Sequence, residues 1–288
     1  MAAVPVPPPL VCGSRTFVFG ERACVMGILN VTPDSFSDGG SSADPGAAVE
    51  RAFQMAGEGA DLVDVGGEST RPGAEPVPAE EELRRVIPVL KRLAGRLTVP
   101  VSIDTSKPAV AEAALAEGAA LVNDISALGD PVMAALVARA GVPVVLMHMQ
   151  GNPRTMQANP VYTDVVGEVA AWLAARARAA EAAGVAPGRI ILDPGIGFGK
   201  APGHNLALLA RLDALLTLGM PVLVGPSRKS FIGKITGRDV VGRLAGTAAA
   251  VAACALAGVH FVRVHDVREM VDVVRVAGAI RRMGISPV

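Results

Sequence analysis

Asn30, Asp64 with Glu68, Asp104, Asn123 with Asp124, His148, Asp193, the run Ser227-Arg228-Lys229, and Arg263 with His265 each end or follow a short apolar run. Carboxylates and amides suit a neutral heterocycle with several N–H donors and ring-nitrogen acceptors. Arg263, His265 and Arg71 suit an anion such as a phosphate. Together they describe a planar polar ligand carrying a phosphate ester. The set contains no Ser-His-Asp arrangement and no cysteine nucleophile. His148 and His265 follow different runs, and no histidine pair has i, i+4 spacing, which argues against a catalytic zinc site. For any one of these residues a helix cap or loop hydrogen bond explains the position equally well. Packing does not explain the whole series.

The elements that must position these groups repeat one phrase: a helix-like segment, a glycine, then a short apolar strand ending in polar or glycine residues. The glycines are Gly59, Gly118, Gly141, Gly184, Gly219 and Gly258, where a left-handed residue can end a helix. The spacing predicts eight strands: Val25–Leu29, Leu62–Val65, Val101–Ile103, Leu121–Val122, Val144–Met147, Ile190–Leu192, Val222–Val224 and Phe261–Val264. Eight helical segments alternate with them, from Pro45–Gly57 to Val267–Arg282. The sixth is read as one helix over Asn205–Leu216 and the seventh over Gly242–Ala257. Continuous apolar strands fit a parallel sheet buried on both faces. Eight βα units in about 250 residues are the pattern of a single-domain α/β protein, a (β/α)8 TIM barrel. Its active site would lie on the face where the strands end. A doubly wound open sheet is the alternative, because periodicity does not prove closure.

Half of the 288 residues are hydrophobic, ample for a large core, and 27 Lys plus Arg balance 27 Asp plus Glu. No net field draws the chain to nucleic acid or an acidic membrane, and 3% aromatic residues are too few for a base-stacking surface. Gly195-Ile196-Gly197-Phe198-Gly199 is only a fragment of a dinucleotide fingerprint, and the Walker-A pattern is absent. Met1–Pro9 is Pro-rich and reads as a flexible tail, neither signal peptide nor anchor. The tail is taken over residues 1–15 and the barrel over 16–288. Cys12, Cys24 and Cys254 lack paired spacing and read as reduced, buried thiols of a cytoplasmic protein.

Two long segments stand out: Met26–Gly40, with Asn30-Val31-Thr32-Pro33-Asp34-Ser35-Phe36-Ser37, and Asp64–Gly73, with Glu68-Ser69-Thr70-Arg71-Pro72-Gly73. Ser102–Thr105, Asn123–Ile125, Met147–Gly151, Asp193–Gly195, Ser227–Ser230 and Arg263–Asp266 follow. Over roughly 240 residues this series resembles the dihydropteroate synthases: the first two segments are similar to the family's two signatures, and the others fall in its order. Pro226 departs from the pattern, standing where a small or apolar residue is more usual.

The resemblance implies a condensation of 6-hydroxymethyl-7,8-dihydropterin pyrophosphate with p-aminobenzoate, a step of folate synthesis that sulfonamides target. Asp193, helped by Asn123, Asp104 and Met147, would receive the pterin, with Lys229 facing its carbonyl and N5. Asn30 would hold Mg2+, while Arg71, Arg263 and His265 hold the pyrophosphate. Ser35, Phe36, Thr70, Arg71, Pro72, Phe198 and Ser230 would line the p-aminobenzoate site. The catalytic group implied is Asp34, Asp104, Lys229, Arg263 and His265, acting through an SN1-like substitution. A pterin-barrel methyltetrahydrofolate methyltransferase and a non-catalytic pterin-binding paralogue are the alternatives. The resemblance also implies a homodimer built partly from the last helices, although Ala248–Leu256 fits equally a helix face packed on its own barrel.

Overall fold

The computed structural model describes residues 5–32, 45–69 and 73–285. The barrel strands are β3 (Cys24–Asn30), β4 (Leu62–Gly66), β5 (Val101–Asp104), β6 (Leu121–Asp124), β7 (Val144–Met147), β8 (Ile190–Asp193), β9 (Leu223–Val224) and β10 (Phe261–Val264). They run parallel in the order β8-β7-β6-β5-β4-β3-β10-β9. A parallel bridge between Leu192 and Val222 joins the two ends of that row, and Leu192 N donates to Pro221 O at 2.8 Å. The sheet closes, so the open doubly wound alternative is excluded.

Helices α1 (Pro45–Gly57), α2 (Ala79–Leu93), α3 (Pro108–Ala116), α4 (Pro131–Ala140) and α5 (Val165–Ala182) follow β3 to β7 in turn. Pro at the first turn of α3 and α4 removes an N–H that has no intrahelical partner anyway. Gly141, at φ +63°, stops α4 as expected. The single helix expected over Asn205–Leu216 is two, α6 (Pro202–Ala210) and α7 (Asp213–Leu216), because Arg211 leaves helical geometry at φ −126°, ψ 40°. A short α8 (Ser230–Thr236), not among the eight periodic segments, follows β9, and α9 starts at Leu244 (Leu244–Ala257), after a 3-10 turn over Val241–Arg243. The last helix is α10 (Val267–Ile285).

Part of the segment read as tail forms a hairpin. Leu10–Cys12 (β1) pairs antiparallel with Arg15–Phe17 (β2), and Leu10, Cys12, Phe17 and Phe19 are buried. They pack on Met26, Leu62, Leu121, Val145, Ile191, Leu223 and Phe261, one from each of seven barrel strands. The hairpin therefore plugs the end of the barrel where the strands begin, burying an apolar layer that would otherwise face water.

Asp61 fastens this plug. Its buried carboxylate accepts from Arg15 Nη2 at 2.6 Å, Arg22 Nη1 at 2.7 Å and Val25 N at 2.8 Å. Asp61→Ala leaves two half-buried guanidiniums and a buried N–H without their anion. We expect a loss of about 3–5 kcal/mol in urea unfolding and unchanged KM values, because the latch lies at the barrel end away from the polar rim. A shifted KM with unchanged stability would contradict this separation.

Candidate active site

Side chains alternate across a strand, so residues two positions beyond the plug layer also point into the barrel. From Leu62, Leu121, Val145, Ile191 and Phe261 this step gives Asp64, Asn123, Met147, Asp193 and Arg263. Ser102 and Asp104 belong to the same inward series through their pairing with Asp64 and Asn123. The polar cluster is thus the next layer up, at the ends of the strands.

Arg263 is its centre. Its Nε donates to Asp64 Oδ2 and its Nη2 to Asp104 Oδ2, both at 2.6 Å. Asn123 Nδ2 donates to the same Asp64 oxygen at 2.9 Å. Asp64 is 0% exposed, and its other oxygen, Oδ1, is among the buried polar atoms with no partner. Burial pushes the Asp104 carboxyl up; Arg263 opposes this and the nearby Asp64 adds to it. Asp193, on the other side, accepts from Gly195 N at 2.7 Å. Burial raises it from 3.8 to about 6, against the Gly195 hydrogen bond and the charges of Lys229, Lys200 and Arg263. A carboxylate with so little hydration gains most from a ligand that brings N–H donors.

Lys229 Nζ lies 4.1 Å from the centroid of the Phe198 ring, a cation–π contact. Its loop is held from behind: Arg228, at φ +56°, is ion-paired with Asp266, and Arg243 Nη1 donates to Arg228 O at 2.9 Å. Pro226 accepts from Lys229 N at 3.3 Å, closing the turn ahead of α8. Ser230 opens that helix and is exposed.

His265 sits beside the cluster. Its own N–H donates to Ser227 Oγ at 3.2 Å, and that hydroxyl lies 2.9 Å from His265 Nδ1. With Oγ already accepting, we assign its proton to Nδ1, which leaves the ring proton on Nε2. Burial, then Arg263 and Arg228, push the imidazole down to about 3. It is a neutral donor, not a third cation.

Asn30 ends β3, half-buried and paired with Gly66. Met147 is buried and lines a cavity of about 620 Å3 shared with Ile125, Lys107, Glu68 and Trp172. Asp34, Ser35, Phe36, Thr70, Arg71 and Pro72 lie outside the described residues. Three rim groups turn away from the centre. Asp124 caps its own loop, accepting from Ser126 N and Leu128 N at 2.8 Å each. Glu68 accepts from Lys107 at 2.7 Å, and Arg228 serves Asp266. Sequence reasoning missed Lys200, 2% exposed and 3.0 Å from His148 Nδ1. Its one signal was the lysine directly after the glycine run that was set aside as a partial dinucleotide motif.

An acceptor wall, a half-buried guanidinium and a lysine over an aromatic ring, all at the strand ends of a (β/α)8 barrel, are groups that suit a flat N-heterocycle with an anionic group. Residues 26–265 match the family described as pterin binding enzyme. The chain is 48% identical over 278 residues to the dihydropteroate synthase of Synechocystis sp., covering 96% of each. Among solved structures it resembles Xanthomonas albilineans dihydropteroate synthase with 4-aminobenzoic acid (TM-score 0.89, 49% identity, 98% of this chain and 100% of that one). It also resembles the same enzyme in complex with 7,8-dihydropteroate (TM-score 0.86, 47% identity, 97% and 100%). The chain belongs to the dihydropteroate synthase family of pterin-binding enzymes.

Proposed function

We propose that this enzyme joins 6-hydroxymethyl-7,8-dihydropterin pyrophosphate to p-aminobenzoate, releasing pyrophosphate and 7,8-dihydropteroate. The observation that carries the reading is the pairing of a desolvated Asp193 acceptor with the Arg263 cluster in one inward layer. Asp193 takes the amino-pyrimidine edge through two charge-assisted hydrogen bonds, and Asn123, Asp104 and Met147 complete the pocket. Lys229 faces the pterin carbonyl and N5.

Arg263 and the Nε2–H of His265 bind the leaving diphosphate oxygens, with Arg71. The methylene C–O bond breaks as charge flows onto the pyrophosphate, the step such donors accelerate. The pterin ring shares the positive charge left on carbon, and Asp104, with Asp34, stabilises it. The neutral arylamine then forms the C–N bond and sheds its proton to water, so no strong base is needed. Ser35, Phe36, Thr70, Pro72, Phe198 and Ser230 hold p-aminobenzoate, with Ser230 at its carboxylate.

Among the described residues no three His, Cys, Asp or Glu side chains gather as a metal cage. Asn30 would hold a Mg2+ through its amide oxygen, a hard ligand of the kind this ion takes beside a diphosphate. When bound there, Mg2+ supplies charge neutralisation of the diphosphate. Chelation with excess EDTA should abolish turnover, and added Mg2+ should restore it. Turnover that survives chelation removes Asn30 from this role.

The exposed apolar side chains Val276, Ile280 and Met283 on α10 support a homodimer through the last helices. No single helix among the described residues is long and apolar enough to cross a membrane. All three cysteines are free and buried, as suits a reducing cytoplasm.

The deciding experiment follows pyrophosphate release from the pterin substrate with and without p-aminobenzoate. Release that depends on p-aminobenzoate and yields dihydropteroate supports the reading. Pterin binding without turnover would reject it and direct attention to methyltetrahydrofolate.

A further inference from the structure

Lys200 takes no part in the mechanism above, yet a lysine 2% exposed needs a reason. Its Nζ donates to Phe198 O at 2.9 Å and to His148 O at 3.3 Å, and lies 3.0 Å from His148 Nδ1. Three acceptors match the three protons of an ammonium, provided that His148 carries its ring proton on Nε2. Burial, and then the charge of Lys200, push that imidazole down to about 3, so it is the neutral acceptor required.

These contacts staple an arch, residues 194–200, to the end of β7. Gly195, Gly197 and Gly199 all have positive φ, and the backbone is pressed against residues 148–150. A Cβ on Gly199 would sit 2.5 Å from Gln150 O, and one on Gly195 would run into His148 O. Tyr162 Oη also donates to Gly199 O at 2.8 Å, and Gln157 Nε2 donates to Gly197 O at 2.6 Å. Gly197 N donates to Asn205 Oδ1 at 2.7 Å. Phe198 rides on this arch with its ring against Lys229.

We propose that Lys200 is a positioning residue for the second substrate: its Nζ hydrogen bonds fix the arch so that the Phe198 ring stands where p-aminobenzoate packs. The inference rests on the placing of p-aminobenzoate against Phe198 given above. Asp193 is the anion that helps to keep Lys200 charged, and Lys229 is the cation that opposes it, while burial pulls the ammonium from 10.5 to about 7. Lys200 also helps to hold Asp193 ionised, so the two effects must be separated by pH.

Steady-state kinetics of Lys200→Met, Phe198→Leu and the double variant at about pH 8 do this: Asp193 is ionised there in every case, and Lys200, even as the neutral amine, still donates two N–H bonds to the arch. Lys200→Met should raise KM for p-aminobenzoate about tenfold, with kcat and the pterin KM within about twofold. A purely structural lysine would lower the active fraction, and so kcat, without moving one KM alone. The double variant should be no worse than Phe198→Leu, since both act through one ring. An unchanged KM in Lys200→Met, beside a raised one in Phe198→Leu, overturns the inference. An unchanged KM in Phe198→Leu instead refutes the placing of p-aminobenzoate, and the inference falls with it. Should Lys200→Met not fold, Lys200→Gln keeps two donors and should raise the same KM about threefold; no rise there overturns the proposal equally.

Discussion

Replacing Asp193 by asparagine lowers kcat/KM for the pterin pyrophosphate by roughly a thousandfold and leaves the protein at least as stable as before. The amide still accepts from Gly195 N through Oδ1, the bond seen at 2.7 Å. Its NH2, however, meets the N–H donors of the ligand where a carboxylate oxygen had accepted. Each charge-assisted bond lost is worth about 1.5–3 kcal/mol, so two account for the effect. Stability moves the other way. The folded state raises the Asp193 pKa from 3.8 to about 6, so it binds the proton more tightly than the unfolded chain does. That contribution is complete below the unfolded value, is lost as pH rises to about 6, and stays lost above it. The substituted amide carries no such charge, and thermal melts of Asp193→Asn near pH 8 should show a gain on the order of 1–3 kcal/mol. The wild-type kcat/KM should fall about tenfold per pH unit below about pH 6, as the acceptor becomes a carboxylic acid. A variant that loses stability but keeps activity would sink the assignment of Asp193 as the pterin acceptor.

Arg263→Met should cost both turnover and stability. The guanidinium binds Asp64 and Asp104, two carboxylates 0% and 9% exposed, at 2.6 Å each. Taking away one partner of a buried ionic cluster costs about 3–5 kcal/mol, because the remaining charges stay desolvated and repel. The loss should grow with pH, since burial already pushes Asp104 up and protonation relieves the repulsion at lower pH. Turnover should drop by roughly a hundred- to a thousandfold, the size of effect seen when a donor to a developing anion is removed. Adding Asp64→Asn separates the two roles. The double variant removes one of the stranded charges and should recover much of the stability, measured by urea unfolding, with no return of turnover. If activity returned together with stability, Arg263 would be a scaffold cation and the leaving-group role would pass to other residues. The geometry also shapes the ligand-bound state. To hold diphosphate oxygens Arg263 must share its donors with Asp64 and Asp104, which a second anion permits only if the cluster relaxes or takes up a proton.

The sequence by itself determined the eight alternating strand–helix units and the identity of nearly every group at the strand ends. Strands such as Leu62–Val65 and Val144–Met147 are apolar on both faces and alternate with helices, which only a parallel sheet covered by helices can satisfy. Asp193, Asn123 and Arg263 were legible because a polar residue at the end of such a strand has no packing role. Their inward direction was not legible, because a strand apolar on both faces does not say which parity faces in; the plug layer that holds Leu62 and Phe261 shows it. Closure was not legible either. It depends on Leu192 meeting Val222 after eight strands of accumulated tilt, a sum that no local window contains. Nor was the plug: Leu10–Phe17 is too short and too close to prolines to announce a hairpin, and its burial comes from the barrel mouth it fills. The break between α6 and α7 arises from one residue, Arg211, leaving helical geometry, which an apolar period running through it does not reveal. Electrostatics stood furthest from the sequence. Asp64 and Arg263 are 199 residues apart, and Lys200 reads as an ordinary loop lysine until the fold encloses it. Only tertiary structure removes the water from such groups and thereby decides which charges pair, which protons move and which lysine is held inside.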